Sequence, residues 1–210
     1  MIYNVISTGS KGNAVVLDGR ILIDCGVPYY ALKSVLMDLQ LVILTHQHGD
    51  HMNHSTIRRL ALERPTLRFG CPDYLVGDLR EDVEPGRIDV LTAGSSYNYG
   101  AYIISPFTLR HNVPNVGYRI GGRGWKAIYA TDTNTLDGVE APEYDLYMIE
   151  ANYDEDEIAE RIRRKQEAGE HIYEWDVLEN HLSREKALDF IYRNIGNGGQ
   201  YVLLHQHEDG

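Results

Sequence analysis

Short apolar runs separated by glycine-rich turns fill the first quarter of the chain, and their length predicts strands. "LVILT" (41–45) is one continuous apolar run, which is typical of a strand buried on both faces. Two other segments keep apolar residues at helical spacing and predict helices: 28–39, which begins with a proline, and 53–64, which ends before a proline. The remaining strands predicted here are "MIYNVIS" (1–7), "NAVVLD" (13–18) and "RILIDCG" (20–26).

The rest of the chain repeats this order, with strands followed by helices. Two charged helices are predicted at 154–169 and 183–196, and a last strand at 200–207. The strands before them are predicted at 66–70, 87–94, 101–112, 115–120, 125–132 and 144–152. Each round can supply one sheet with outer helices, so the sequence predicts an α/β fold: a four-layer αββα sandwich, formed by residues 1–210 as a single domain.

Composition narrows the class of protein. A chain of 210 residues with 43% hydrophobic and 24% charged residues suits one globular domain. No stretch reaches the roughly 18 apolar residues of a membrane span, and the N-terminus lacks a signal-peptide pattern, so we expect a cytoplasmic protein. Cys25 and Cys71 fit neither a disulfide framework nor a cysteine zinc site, and we expect small buried side chains. The net charge of −11 argues against non-specific binding to a phosphate backbone without excluding nucleic acid.

The motif "THQHGDH" (45–51) directly follows the predicted strand 41–45 and carries three histidines and an aspartate. His46 and His48 are two residues apart, so both imidazoles can face one point in a tight loop. Asp50 and His51 follow and can face a neighbouring point. Imidazole and carboxylate are ligands of zinc, iron or manganese, and their number here exceeds one tetrahedral site. A histidine-rich surface loop is the alternative, which the strand-end position disfavours.

Three further candidate ligands each follow an apolar run. His111 comes after "YIISPFTLR", Asp132 after "WKAIYAT", and His205 after "QYVLL". Each residue alone is weak evidence, because solvated turn residues are common at such places. Together they share the strand ends, where open sheets gather their sites, and they can complete two adjacent metal positions. His207 competes with His205 for the last place, and His205 is favoured because it directly ends the apolar run.

The ordered motifs resemble the metallo-β-lactamase superfamily over nearly the whole chain. "THQHGDH" matches its HxHxDH signature, "ILIDCG" resembles its early strand ending in Asp-x-Gly, and "ATDT" and "LLHQH" resemble its later aspartate and histidine motifs. The resemblance implies the αββα sandwich and two divalent metal ions, zinc being favoured over manganese or iron. It implies His46, His48 and His111 as ligands of the first ion, Asp50, His51 and His205 as ligands of the second, and Asp132 as the bridge.

Asp24 is implied to orient a ligand histidine from outside the metal shell, the alternative being a plain turn aspartate.

Within that superfamily the chain is similar to the WalJ/YycJ-like group, which is related to tRNase Z. The segments that carry this similarity are "STGSKGNAVVLDGRILIDCG", "IEANYD" and "NHLSREKALDF". In tRNase Z-like enzymes a glutamate and a histidine in such segments form a pair outside the metal shell, and here they would be Glu150 and His181. The alternative is that His181 only satisfies a helix N-terminus. The flexible arm of long-form tRNase Z has no counterpart in this sequence.

These expectations combine into a predicted mechanism. A metal-bridging hydroxide would attack a phosphodiester of DNA or RNA, with Asp50 orienting the nucleophile. His181, held by Glu150, would protonate the departing oxygen. The alternative substrate is a small ester, lactone or cyclic nucleotide, which the acidic net charge and the missing arm favour. Two further alternatives are a binding module with structural metals and an iron redox protein. The binding module is disfavoured because all coordination positions of a structural zinc ion are filled by protein ligands. The iron redox protein needs a flavin partner.

Overall fold

The computed structural model describes residues 2–206, and the chain divides into two compact units, residues 1–97 and 98–210. His207, the competitor for the last ligand position, therefore lies outside the described residues. The prediction of one domain over residues 1–210 stays a prediction. Each unit has its own sheet and its own hydrophobic core.

The first unit contains a six-stranded sheet in the order β1-β2-β3-β4-β5-β6. The first three strands are antiparallel, and β3 to β6 run parallel. Parallel strands end at the same edge of a sheet, so the residues that follow β3 and β4 meet there. The strands are β1 (Tyr3–Ser7), β2 (Ala14–Leu17), β3 (Ile21–Ile23), β4 (Leu41–Ile43), β5 (Arg68–Cys71) and β6 (Ile88–Val90).

Helices α1 (His54–Glu63) and α2 (Val76–Leu79) lie in the same unit, together with three short 3-10 helices (Tyr29–Leu32, Asp73–Leu75 and Pro85–Arg87). Helix α1 confirms the helix predicted at 53–64. It begins after Asn53, whose side chain accepts a hydrogen bond from the Thr56 amide at 3.1 Å. Its buried face, which includes Ile57 and Leu60, packs into the core that β2 to β5 supply.

The helix predicted at 28–39 is wrong. Only Tyr29–Leu32 is helical, as a 3-10 helix, and turns follow it. The predicted apolar positions do point inward, with Leu32 fully buried and Leu36 nearly so. The backbone bonds are mostly three residues apart, as from the Val35 amide to the Leu32 carbonyl (3.0 Å) and from Asp38 to Val35 (3.2 Å). Pro28 offers no side-chain cap, and the tight i to i+3 bonds do not extend into an α-helix.

The second sheet has the order β12-β11-β10-β9-β8-β7. Strands β8, β9 and β10 are antiparallel in turn, and β10, β11 and β12 are parallel. It follows that β8, β10, β11 and β12 all point the same way and end at one edge. The strands are β7 (Tyr97–Asn98, at the division between the units), β8 (Ile103–Leu109), β9 (Asn115–Gly122), β10 (Trp125–Ala130), β11 (Leu146–Glu150) and β12 (Gln200–Leu204). Strand β7 has no counterpart in the prediction.

Three helices belong to the second unit: α3 (Glu155–Ala168), α4 (Glu174–Asn180) and α5 (Arg184–Asn194). Helix α3 begins after Asp154, which caps the Asp156 and Glu157 amides, and ends at Gly169 in the left-handed conformation (φ 67°). Helix α5 packs against the second core through Ala187, Phe190 and Ile191. The prediction missed α4, which is only seven residues long. Among residues 2–206, none of the helices combines the length and apolarity needed to cross a membrane.

Candidate metal centre

The loop after β4 gathers the histidines of "THQHGDH" in the first unit. His46 and His51 are fully buried, whereas His48 and Asp50 are partly exposed. Amides of His51 and Met52 both donate to the His48 carbonyl at 2.9 Å, which closes the loop into a tight turn. The His46 ring lies 4.7 Å from the His48 ring and 4.2 Å from the His51 ring, measured between centroids. The turn therefore brings three imidazoles together.

The spacing of the loop nitrogens suits a shared cation. The Nδ1 atom of His46 lies 3.0 Å from the Thr45 hydroxyl, which leaves Nε2 as its lone-pair nitrogen. This Nε2 atom lies 3.1 Å from Nδ1 of His48. Two nitrogens bound to one tetrahedral zinc ion at 2.0–2.1 Å are about 3.3 Å apart. The donor set of the first unit therefore fits a zinc-like ion.

Asp24 holds His51 from beneath this loop. It follows β3 in the left-handed conformation (φ 58°), and its carboxylate is fully buried. It accepts hydrogen bonds from the Thr45 amide and hydroxyl, both at 2.9 Å, and from Nδ1 of His51 at 2.7 Å. These contacts fix the ring and leave Nε2 of His51 as the nitrogen that could bind a metal, so Asp24 makes the contacts expected of an orienting residue. A plain turn aspartate would not have such partners.

Asn13 belongs to the same cluster and was missed by sequence reasoning. Its Nδ2 atom lies 2.8 Å from Nε2 of His51 and 3.3 Å from Oδ2 of Asp50. Its own Oδ1 atom accepts from the Gly9 amide at 2.9 Å, which holds the side chain in place. Asn13 ends the glycine-rich segment "STGSKGN", which is the signal in the sequence that could have pointed to it.

Gly26 lets the loop approach the chain that follows β3. A Cβ atom on Gly26 would lie 1.7 Å from the Asp50 carbonyl oxygen. Two backbone bonds cross here, from the Cys25 amide to the His51 carbonyl (2.8 Å) and from the Asn53 amide to the Cys25 carbonyl (2.8 Å). Only a residue without a side chain allows this approach.

The second unit places its predicted residues at the common edge of β8, β10, β11 and β12. His111 follows β8, and its Nδ1 atom donates to the Asn180 carbonyl at 3.1 Å, which leaves Nε2 as the nitrogen that could bind a metal. This Nε2 atom lies 3.9 Å from Oδ1 of Asp132, which follows β10. His205 follows β12, and its Nδ1 atom lies 3.7 Å from the same oxygen. The sheet topology thus explains why these residues converge.

Glu150 is the central acceptor of this cluster. It ends β11, is fully buried, and its Oε2 atom accepts from the Thr133 amide at 2.9 Å. Its Oε1 atom lies 2.5 Å from Nδ1 of His181 and 3.0 Å from Nδ1 of His205. One buried carboxylate therefore orients two histidines. The predicted Glu150–His181 contact is present, whereas the contact to His205 was not expected.

His181 does not satisfy a helix N-terminus. It directly follows α4, and Ser183 is the N-cap of α5, where its hydroxyl accepts from the Lys186 amide at 3.2 Å. The side chain of His181 is 19% exposed, and its Nδ1 atom lies 3.8 Å from Oδ1 of Asp132. Ligand atoms of Asp132, Glu150, His181 and His205 all lie within 4.8 Å of one another. The donor chemistry of this group, imidazole and carboxylate, suits a divalent transition metal.

Both cysteines are free and buried, as expected. Burial raises the pKa of the Cys25 thiol far above its ordinary value, and the neighbouring Asp24 carboxylate raises it further. Burial also raises the pKa of Cys71 to about 12. The thiolate is the form of cysteine that binds metals, so both residues stay outside the candidate metal centre.

Residues 19–205 match the family described as the β-lactamase superfamily domain. The chain belongs to the β-lactamase superfamily. The α/β metallo-β-lactamase fold predicted from the sequence is thereby confirmed, and the two six-stranded sheets agree with it. The narrower WalJ-like assignment stays a prediction. No curated protein sequence matches the chain.

Solved structures support the same superfamily fold. The metallo-β-lactamase fold protein YhfI from Bacillus subtilis is 18% identical, with a TM-score of 0.73 over 99% of this chain and 87% of that one. The short form of human tRNase Z is also 18% identical, with a TM-score of 0.69 over 99% and 93%. Zn²⁺-bound PqqB from Methylobacterium extorquens is 11% identical, with a TM-score of 0.69 over 99% and 89%.

Proposed function

We propose that this member of the β-lactamase superfamily is a metal-dependent phosphodiesterase that acts on DNA or RNA. The observation that carries the proposal is the buried Glu150 carboxylate, 2.5 Å from Nδ1 of a partly exposed histidine, His181. A histidine paired in this way is suited to donate a proton to a departing alkoxide near neutral pH. Hydrolysis of a phosphodiester needs such a donor.

For the metals we propose the ligand assignment that the sequence resemblance implied. It is supported by the donor set of each unit and by the zinc in PqqB, and zinc is the ion we favour over manganese or iron. Two such ions, when bound, would polarise a water molecule and neutralise charge on the phosphoryl oxygens. The proposed ligands are His46, His48 and His111 for one ion, Asp50, His51 and His205 for the other, and Asp132 for both.

His181 acts through its outer nitrogen. In the proposed step the ring is protonated on both nitrogens: Nδ1 donates to Glu150, and Nε2 gives its proton to the leaving oxygen, which leaves a neutral ring. The buried carboxylate compensates the positive charge of the ring and holds its orientation. The 19% exposure of the His181 side chain lets water restore the proton after each turnover.

Asp50 orients the attacking water in the proposed mechanism. Its side chain is 27% exposed, so one carboxylate oxygen can reach solvent while the other lies 3.3 Å from Asn13 Nδ2. The amide donor holds the carboxylate in one direction. Asp50 is thus both a proposed ligand and the acceptor that aligns the nucleophile.

Nucleic acid is the substrate class that we propose, with tRNase Z among the proteins of similar fold. The competing candidate is a small ester, lactone or cyclic nucleotide, which the net charge of −11 favours because an acidic surface repels a phosphate backbone. The cytoplasmic location expected from the sequence stays a prediction.

The test of the proposed roles is His181→Ala in the metal-loaded protein. We expect its turnover of a DNA or RNA oligonucleotide, whose alkoxide leaving group needs a proton, to fall by about 10²–10⁴, the usual size of a general-acid effect, while the bound metal is unchanged. Turnover of bis(p-nitrophenyl) phosphate, whose p-nitrophenolate group departs without a proton, should fall much less. Steady-state kinetics and elemental analysis of the same sample give both numbers. His171→Ala is the matched control, because His171 is an exposed histidine elsewhere in the second unit.

Three results would contradict the proposal. Unchanged turnover of the oligonucleotide in His181→Ala would remove His181 from the mechanism. A loss of metal in that variant would make His181 a ligand instead of a proton donor. Activity of the wild type on a lactone or thioester with none on a phosphodiester would favour the competing candidate.

A further inference from the structure

Three neighbouring cavities of the second unit share lining residues and form one groove. The first cavity, about 520 Å³, lies between the segment 134–139 and α5. The second, about 560 Å³, is lined by His111. Both contain Arg110, Thr135, Asp137 and Val139, so they adjoin along this row. The groove thus begins beside a proposed metal ligand and continues towards α5.

The third cavity extends the groove to α3 and α4. Its volume is about 370 Å³, and it shares Leu178 and Lys186 with the first cavity. Its lining is mainly apolar and includes Ile158, Ile162 and Trp175. We call the whole feature, from His111 past Arg110 and Lys186 to Trp175, the α5 groove.

Two cationic side chains lie where neighbouring cavities of the α5 groove adjoin. Arg110 lines the first and second cavities, and Lys186 lines the first and third. Both are exposed, and neither side chain has a hydrogen bond or ion pair within residues 2–206. A cation without a protein partner gains most from a phosphate, because it gives up only water and counterions.

The charged residues that line the groove balance one another. Asp189 pairs with Arg193, whereas Asp137 and Glu155 keep their negative charge, and Glu155 accepts a hydrogen bond from the Ser183 hydroxyl at 2.7 Å. With Arg110 and Lys186 the lining has three cations and three acids. On a chain with a net charge of −11, such a groove is less acidic than the chain as a whole.

The far end of the groove offers an aromatic surface. Trp175 is 48% exposed, although indole rings are usually buried in folded proteins. Exposed aromatic rings next to cations are the combination with which proteins bind single-stranded nucleic acid, since each base has a face that can stack. Stacking does not depend on the base, so such a groove would be tolerant of sequence.

We propose that the α5 groove holds a single-stranded stretch of the nucleic acid next to the bond that is cut. Arg110 and Lys186 contact two phosphates, and Trp175 stacks on a base. The inference rests on the proposed function and adds the place where a single-stranded part of the nucleic acid binds. A small phosphodiester would reach the metal ligands without filling the groove.

The test uses the full-length protein freed of metal, so that binding is measured without cleavage. Fluorescence anisotropy of a labelled 12-nucleotide single strand gives the binding constant K at several salt concentrations. Two phosphate contacts predict that log K falls against log salt with a slope of about −1.4. Lys186→Ala and Arg110→Ala should each weaken binding and reduce the slope to about −0.7. Arg184→Ala, also on α5 but outside the groove, should leave both values unchanged.

Tryptophan fluorescence gives a second, independent measurement. The chain has two tryptophans, and Trp125 lies on β10, outside the groove. Quenching by the single strand should persist in Trp125→Phe and disappear in Trp175→Phe. Trp175→Ala should weaken binding by about 10–100-fold with the salt slope unchanged, as expected for the loss of one stacked base.

The outcomes separate this inference from the proposed function. Hydrolysis of bis(p-nitrophenyl) phosphate by the metal-loaded wild type, without binding of the single strand, would refute single-strand binding in the α5 groove and leave the proposed activity intact. Binding with no phosphodiester hydrolysis would refute the proposed phosphodiesterase activity and leave the proposal for the groove intact. An unchanged affinity and slope in Lys186→Ala would also overturn the groove.

Discussion

Unusual backbone conformations mark the candidate site at the scale of single residues. Within residues 2–206, five residues other than glycine have a positive φ, and three of them lie in the candidate site, one or two residues after a strand: Asp24 (58°), Asp132 (57°) and His205 (50°). The left-handed conformation is costly for most side chains, so it persists where the surrounding contacts enforce it. At Asp24 these contacts are the bonds to Thr45 and His51.

Asp24→Asn tests the orienting role at this scale. Asparagine has the same size and tolerates the left-handed conformation, but it has only one oxygen. The two carboxylate oxygens of Asp24 accept hydrogen bonds from Thr45 and from His51. We expect zinc affinity to fall about 10–100-fold, the usual effect of losing such a partner, as measured by calorimetric titration. Asp38→Asn, an exposed substitution in the same unit, is the control. Equal zinc affinity in Asp24→Asn and the wild type would refute the role.

The sequence pointed to the histidines and carboxylates of the candidate site but not to its neutral partner, Asn13. Histidines and aspartates that follow several apolar runs can be recognised as a set in one sequence, because strand ends of one sheet meet at its edge. Asn13 was missed because an asparagine after glycine is an ordinary turn signal. The contact between Glu150 and His205 depends on the parallel register of β11 and β12, in which Glu150 pairs with Leu204. The sequence does not reveal that register.

At the scale of elements, side-chain caps distinguish the predicted helices that formed from the one that did not. The helices with side-chain caps, α1, α3 and α5, begin where the sequence predicted. The segment 28–39 had the right apolar spacing but no cap, and it formed a 3-10 helix with turns. The spacing of apolar residues predicts which side chains face the core. It does not predict whether the backbone hydrogen bonds are those of an α-helix or of a 3-10 helix.

Ser183 is the helix cap whose loss should be measurable. Its hydroxyl accepts from the Lys186 amide and donates to Glu155, and the residue is fully buried. Ser183→Ala should lower the free energy of unfolding by about 1–2 kcal/mol, from the lost cap and the unsatisfied acceptor. Chemical denaturation with urea measures this change. Arg184→Ala, at the exposed next position, should stay within about 0.5 kcal/mol of the wild type, and an equally small change for Ser183→Ala would contradict the cap.

At the scale of the whole molecule, the direction of the strands explains why the candidate site residues meet at one edge of each sheet. In each unit the site residues follow strands that point the same way, so sequence-distant side chains meet without long loops. The fold class was accessible from the order of strands and helices together with the motifs. The proposed single-strand site was less accessible, because the α5 groove is built from segments 110, 134–139 and 175–194 that lack a common motif.

The most direct test of the account measures phosphodiester hydrolysis by the wild type together with its metal content. We predict that the protein binds two divalent ions per chain and hydrolyses bis(p-nitrophenyl) phosphate, and that chelation abolishes turnover until zinc is restored. A fully metal-loaded protein that cleaves a lactone or thioester but leaves the phosphodiester intact would contradict the central claim.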